Sequence, residues 1–215
     1  MKKKIVSLVL VFALALALGI GGTVAWLTAQ TNEVVNTFTV GDINIDLTET
    51  GTDEYGKKSY EVVPGGTYAK DPTITIKEDS ESCYVFVTVD VQNNGSDNQT
   101  YVKWAVREGW TLFKQVGTKY FYYYNTKVSN APQTLYVLAG TGDGEFKNGY
   151  VTVDGGNVTK EYSDAIENKS VAAPKLTFMA YAVQSENLKD GDTIITEIND
   201  STAAKIWAYI APTNS

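Results

Sequence analysis

From Cys83 to Val91 every second residue is apolar: Cys83, Val85, Val87, Val89 and Val91, with Tyr84, Phe86, Thr88 and Asp90 on the alternate positions. A repeat of two sends successive side chains to opposite sides of a β-strand, whereas one stripe of a helix needs a spacing of three to four. The turn-forming run Asn93-Asn94-Gly95-Ser96 ends this strand. The same alternation recurs along the chain. Phe38 and Val40, then Ile43, Ile45 and Leu47, keep one apolar face across a change of parity at Gly41-Asp42, which predicts a bulge or bend. Pro72, Ile74 and Ile76 form another set, and Val102, Trp104 and Val106 the next. Further strands are expected at 110–113, 120–124 and 134–138, and a long one at 175–183, where Leu176, Phe178, Ala180 and Ala182 share a side. Gly140 to Gly144 reads as a loop.

Two helices interrupt this pattern. One is short, over 159–166, with Thr159 as its N-cap. The other places Ala203, Ile206, Trp207 and Ile210 at i, i+3, i+4 and i+7 behind the cap-rich Asn199-Asp200-Ser201-Thr202, and Pro212 stops it. Many short strands with turn signals between them predict an all-β fold, a jelly-roll-like antiparallel β-sandwich with one or two short helices. With no linker and no internal repeat, a single domain over 37–211 is the simplest organisation.

The N-terminus has a different character. Met1-Lys2-Lys3-Lys4 is basic, and Ile5 to Leu18 is apolar except for Ser7. Gly19-Ile20-Gly21-Gly22 then breaks the run, and Thr23-Val24-Ala25 offers small residues to a signal peptidase. This is the layout of a secretory signal peptide over 1–25, with cleavage between Ala25 and Trp26. The alternative is an uncleaved anchor, since the apolar stretch is long enough to span a bilayer. Losing Lys2, Lys3 and Lys4 takes 18 basic side chains to 15 against 25 acidic ones, a shift in net charge from −7 to −10. Such an acidic chain disfavours nucleic acid, which wants a basic surface.

The absence of histidine among the 215 residues removes the Ser-His-Asp triad, the Cys-His dyad and every His-ligated zinc. A single cysteine forms no intrachain disulfide and no four-cysteine metal site.

Several blocks resemble one family. They are Gly21-Gly22-Thr23-Val24-Ala25-Trp26-Leu27-Thr28, Asn36 to Ile43, Ser82 to Val87, Gly109-Trp110, Leu176 to Gln184, and Ala203-Ala204-Lys205-Ile206-Trp207. Together they are similar to the TasA/camelysin family of Gram-positive bacteria, exported proteins whose signal peptide is cut by a SipW-type signal peptidase. The resemblance implies a jelly-roll sandwich and a role as a secreted subunit, or accessory protein, of extracellular biofilm-matrix fibres. The stretch 114–168 carries no matching motif. The family also bears a peptidase description. Without histidine, a metal here would rest on carboxylates alone, which suit calcium or magnesium better than a hydrolytic zinc. No enzyme activity is therefore expected.

After cleavage, residues 26–36 precede the first strong strand. Trp26, Leu27, Val34 and Val35 are apolar, and Thr28, Gln30, Thr31 and Asn32 are polar. Such a segment cannot bury its apolar groups against itself. It can add as a donor strand to the open sheet edge of a neighbouring subunit, and head-to-tail addition does not close, so it builds a filament. A disordered mature N-terminus is the other reading.

Other candidates each have a plain structural reading beside them. The run 120–124, with Trp104 and Trp110, suits a sugar-stacking platform, as in a monomeric cell-surface adhesin or carbohydrate-binding module, and equally suits ordinary strand packing. Asp190, Asp192, Asp143 and Glu145 are calcium candidates in acidic turns that otherwise read as solvated; none matches an EF-hand loop. Cys83, on the apolar face of its strand, reads as a buried inert thiol. No two carboxylates stand out as a glycosidase pair.

Overall fold

The computed structural model describes residues 28–31, 35–36, 43–60, 63–95 and 100–210, with backbone alone for the first two stretches. The signal sequence, with Ala25 and Trp26, lies outside the described residues, as do Leu27, Val34, the parity change at Gly41-Asp42 and Pro212. Among the described residues no helix is long and apolar enough to cross a membrane.

The chain is an all-β antiparallel sandwich with two short helices, as its alternation predicts. Its strands are β1 (Thr28–Thr31), β2 (Val35–Asn36), β3 (Ile45–Thr48), β4 (Thr67–Ala69), β5 (Thr73–Ile76), β6 (Cys83–Gln92) and β7 (Val102–Lys103). They continue with β8 (Trp110–Val116), β9 (Lys119–Tyr124), β10 (Gln133–Tyr136), β11 (Tyr150–Val153), β12 (Lys175–Gln184), β13 (Lys189–Asp190) and β14 (Thr193–Ile194). Helix α1 spans Lys160–Glu167 and α2 spans Asp200–Ile210.

A six-stranded sheet in the order β2-β1-β12-β6-β9-β8 forms one layer, and a three-stranded sheet, β10-β5-β3, faces it. The ladder between β6 and β12 runs unbroken over ten residue pairs, from Gln92 opposite Lys175 to Cys83 opposite Gln184. Between the layers lies the main core. Cys83, Val85, Val87 and Val89 of β6 and Ala180 and Ala182 of β12 meet Ile45, Ile74, Ile76 and Leu135 from the opposite sheet. Trp110 ties the layers together by donating its indole N–H to the Tyr136 carbonyl at 3.0 Å. A second three-stranded sheet, β4-β11-β7, adds a small cluster of Val102, Leu138 and Val151 beside Leu176 and Phe178.

The other face of the large sheet is covered as well. Tyr84 and Phe86 of β6, Phe121 and Tyr123 of β9, and Tyr181 and Val183 of β12 pack against Ala203, Ile206, Trp207 and Ile210 of α2. The i, i+3, i+4, i+7 stripe is therefore the buried face of that helix. Asn199 caps it, its side-chain oxygen accepting from the amides of Ser201 and Thr202, which satisfies two of the donors left open at a helix start. Thr159 caps α1 by accepting from the Tyr162 amide.

Two expectations change. The set Val102, Trp104, Val106 is not one strand: β7 ends at Lys103, and Val106 bridges to Leu138 instead. The chain changes partner there, from β11 to the segment after β10. The strands β4 and β11 and the small β13–β14 hairpin are not among the expected elements.

Candidate assembly edge and aromatic sites

The two ends of the large sheet are built differently. At one end β8 is bent by a bulge between Leu112 and Lys114, and its outer residues include Lys114 and Gln115 beside exposed Leu112 and Val116. A bulge and a lysine are the usual devices that stop an edge strand recruiting another chain. At the other end the N-terminal segment itself lies on the sheet. Thr28 pairs with Val183, Ala29 with Ala182 and Gln30 with Tyr181, and the chain then folds back so that Val35 of β2 pairs with Thr31. The donor-segment positions Thr28 and Val35 thus sit in an edge hairpin on β12 of their own chain.

That hairpin covers only part of β12. Among the described residues no strand pairs with Lys175–Met179 on the side away from β6. These residues are not a solvated face: Leu176 and Phe178 pack against the cores and only Lys175 is fully exposed. The register between β1 and β12, continued without a turn, puts Val35 opposite Leu176 and Asn36 opposite Lys175. Straightened, residues 28–36 would have the length and phase to pair along β12 from Val183 to Lys175.

Beside this edge stands a polar cluster that the sequence reading missed. Lys70, buried at the end of β4, places its Nζ 2.8 Å from Oε2 of Glu49. The Tyr60 hydroxyl donates to the other Glu49 oxygen at 2.8 Å, and the Ala69 carbonyl lies 2.9 Å from the same hydroxyl. The ammonium also lies 5.6 Å from the Tyr60 ring and 5.2 Å from the Phe178 ring of β12. Burial, and then the Glu49 carboxylate, push the Tyr60 hydroxyl well above its ordinary range. The network pins the long connection between β3 and β5 against the sandwich.

The aromatic candidates divide. Trp110 is buried and Tyr122 and Tyr123 are core residues, so most of the run 120–124 is strand packing and not a platform. Tyr122 is pushed up to about 12 by burial, with Tyr120 adding to it. Trp104 is only half-buried. Its indole is held edge-on by Tyr120 at 5.6 Å and Tyr122 at 6.3 Å.

The calcium candidates are not brought together. Asp190 is paired with the Lys205 ammonium across to α2, and Asp143 and Glu145 sit in the exposed glycine loop. Among the described residues no group of three or more His, Cys, Asp or Glu is placed to hold a metal ion. Cys83 is fully buried and burial pushes its thiol up to about 12, which keeps it protonated and unreactive.

Compared with protein-family models, with curated proteins and with solved structures, the chain matches none of them.

Proposed function

We propose that this protein is an exported structural subunit, or an accessory protein, of extracellular biofilm-matrix fibres, and that its N-terminal strand is the connecting element. One observation supports this reading: the N-terminal segment lies at the edge of the main sheet, in register with β12, and among the described residues no strand pairs with Lys175–Met179 on the side away from β6. In the isolated chain, residues 28–31 and 35–36 pair with each other on their own edge. In a fibre, the same residues from a neighbour extend along β12. Backbone hydrogen bonds replace those of the hairpin, and side chains alternate between the two faces. Each subunit then accepts one strand and donates one, which is a heterologous contact that propagates without closing. The blunted β8 edge keeps lateral pairing from competing. The sequence resemblance to the TasA/camelysin family points the same way, and export through a cleaved signal sequence releases the segment from the membrane.

The test is direct. N-terminal sequencing of the secreted form should read from Trp26, and negative-stain electron microscopy should show filaments. A variant lacking residues 26–36 should remain folded and stay monomeric. Filaments formed by that variant would exclude strand donation.

A further inference from the structure

Where β7 leaves β11, the chain opens a small cleft. Lys103 still pairs with Thr152, but two residues later the Ala105 carbonyl accepts from the Ala139 amide, while the Tyr150 amide donates to the Ala139 carbonyl. The divergence leaves a cleft of about 180 Å³, open to solvent on one side, lined by Lys103, Trp104, Ala105, Ala139, Tyr150 and Thr152. The backbone groups around it are satisfied by the bonds just named. The side chains are not: among the described residues the Trp104 indole N–H and the Tyr150 and Thr152 hydroxyls have no hydrogen-bond partner, and none of the three is sealed from solvent. Two aromatic rings and three uncommitted polar groups thus share one concavity.

Charge narrows what fits. The only ionised lining group is Lys103, and its ammonium is already paired with the Asp154 carboxylate. That carboxylate also accepts from the amides of Gly156 and Asn157, so it is held in place by three donors. An anionic ligand finds no free cation here, and a cationic one finds no free carboxylate. Size narrows it further. Drug-sized pockets run to roughly 300–1,000 Å³, so this one admits a single ring. The Trp104 ring is also packed edge-on against Tyr120 and Tyr122.

We propose that this cleft is a subsite for one neutral pyranose residue of a polysaccharide, with its apolar face against the Trp104 and Tyr150 rings and its hydroxyls bonded to the free groups of Trp104, Tyr150 and Thr152. Aromatic rings with a polar tip suit a ligand that is apolar on one face and hydroxylated on its rim. The proposal is independent of strand donation, since the cleft is made by β7 and β11, not by the N-terminal segment.

Saturation-transfer NMR on the intact chain, with the methyl glycosides of glucose, galactose and N-acetylglucosamine as probes, tests it. At least one should receive magnetisation from the protein. Ala105→Trp fills the cleft from an exposed position and should abolish the transfer. Thr152→Val should weaken binding about fivefold, the loss of one hydrogen bond. Circular dichroism checks that both variants keep the fold. No transfer from any of the three, or transfer unchanged in A105W, would overturn the subsite. Tighter binding of methyl glucuronide than of the neutral glycosides would overturn the neutral class.

Discussion

The rings of Trp207 and Tyr181 meet edge-on, 4.8 Å between centroids at 81°. The same indole touches Phe86, Phe113 and Phe121, so one side chain from the last helix contacts four strands of the large sheet. Without it, the four aromatic rings it touches would lose that cover. Trp207→Ala should therefore destabilise the fold by about 3–5 kcal/mol, as for other buried Trp truncations. Chemical denaturation checks this, and Tyr209→Ala on the exposed side of α2 is the control, expected within about 1 kcal/mol of the parent. Equal losses at the two positions would mean that the helix is not packed as described.

The Glu49–Lys70 pair predicts strong non-additivity. Removing one partner strands a charge in a buried site, so Lys70→Met alone should cost about 3 kcal/mol or more. Glu49→Gln with Lys70→Met leaves no uncompensated charge and should recover a large part of that loss. A double-mutant cycle by urea denaturation reads the coupling; simple additivity would mean that water already solvates both groups.

Acid should act through Asp154. The Lys103 ammonium, followed by the amides of Asn157 and Gly156, holds its carboxyl down to about 2, against about 3.9 in an unfolded chain. A folded value below the unfolded one means that protons favour unfolding. The contribution is complete above about pH 4 and disappears as the pH falls towards 2. Melting temperatures between pH 2 and 5 should show a smaller pH slope for Asp154→Asn than for the parent. Parallel slopes would remove Asp154 from the acid response.

Cys83 should be silent until the protein unfolds. Its thiol is fully buried between the two layers and pushed up to about 12, so a thiol reagent at pH 8 should not label the native chain. In denaturant the thiol regains an ordinary value near 8.5 and should label fully. Rapid labelling of the native form would place Cys83 at the surface, contrary to its position in β6.

Much of this architecture can be read from alternation. The five apolar positions from Cys83 to Val91 predict β6 and its inward face, and the spacing from Ala203 to Ile210 predicts the buried stripe of α2. Alternation does not say that Tyr84 and Phe86, on the other face, are buried as deeply, because their cover comes from a helix more than a hundred residues later. Strand β4 is too short, at three residues, for a period to register. Strand β11 carries a real signal in Val151 and Val153, hidden by the glycine-rich stretch before it. Trp104 belongs to a pattern that looks continuous, and only the change of partner after Lys103 turns it into the wall of a cleft. The Glu49–Lys70–Tyr60 cluster has no sequence signature at all, since its members meet through a loop closure across more than twenty residues.

The ladder between β6 and β12 has a consequence in time. Its partners are separated by 83 to 101 positions along the chain, and β1 waits for a strand some 150 residues away. Pairings this distant close slowly, because the intervening chain must lose its freedom before any contact repays it. Strands β6, β9 and β8 can pair early, but the large sheet cannot be completed until residue 175 and those beyond it are present. A chain growing from its N-terminus therefore holds only part of that sheet until then. Folding then completes only once the last strand and α2 are in place.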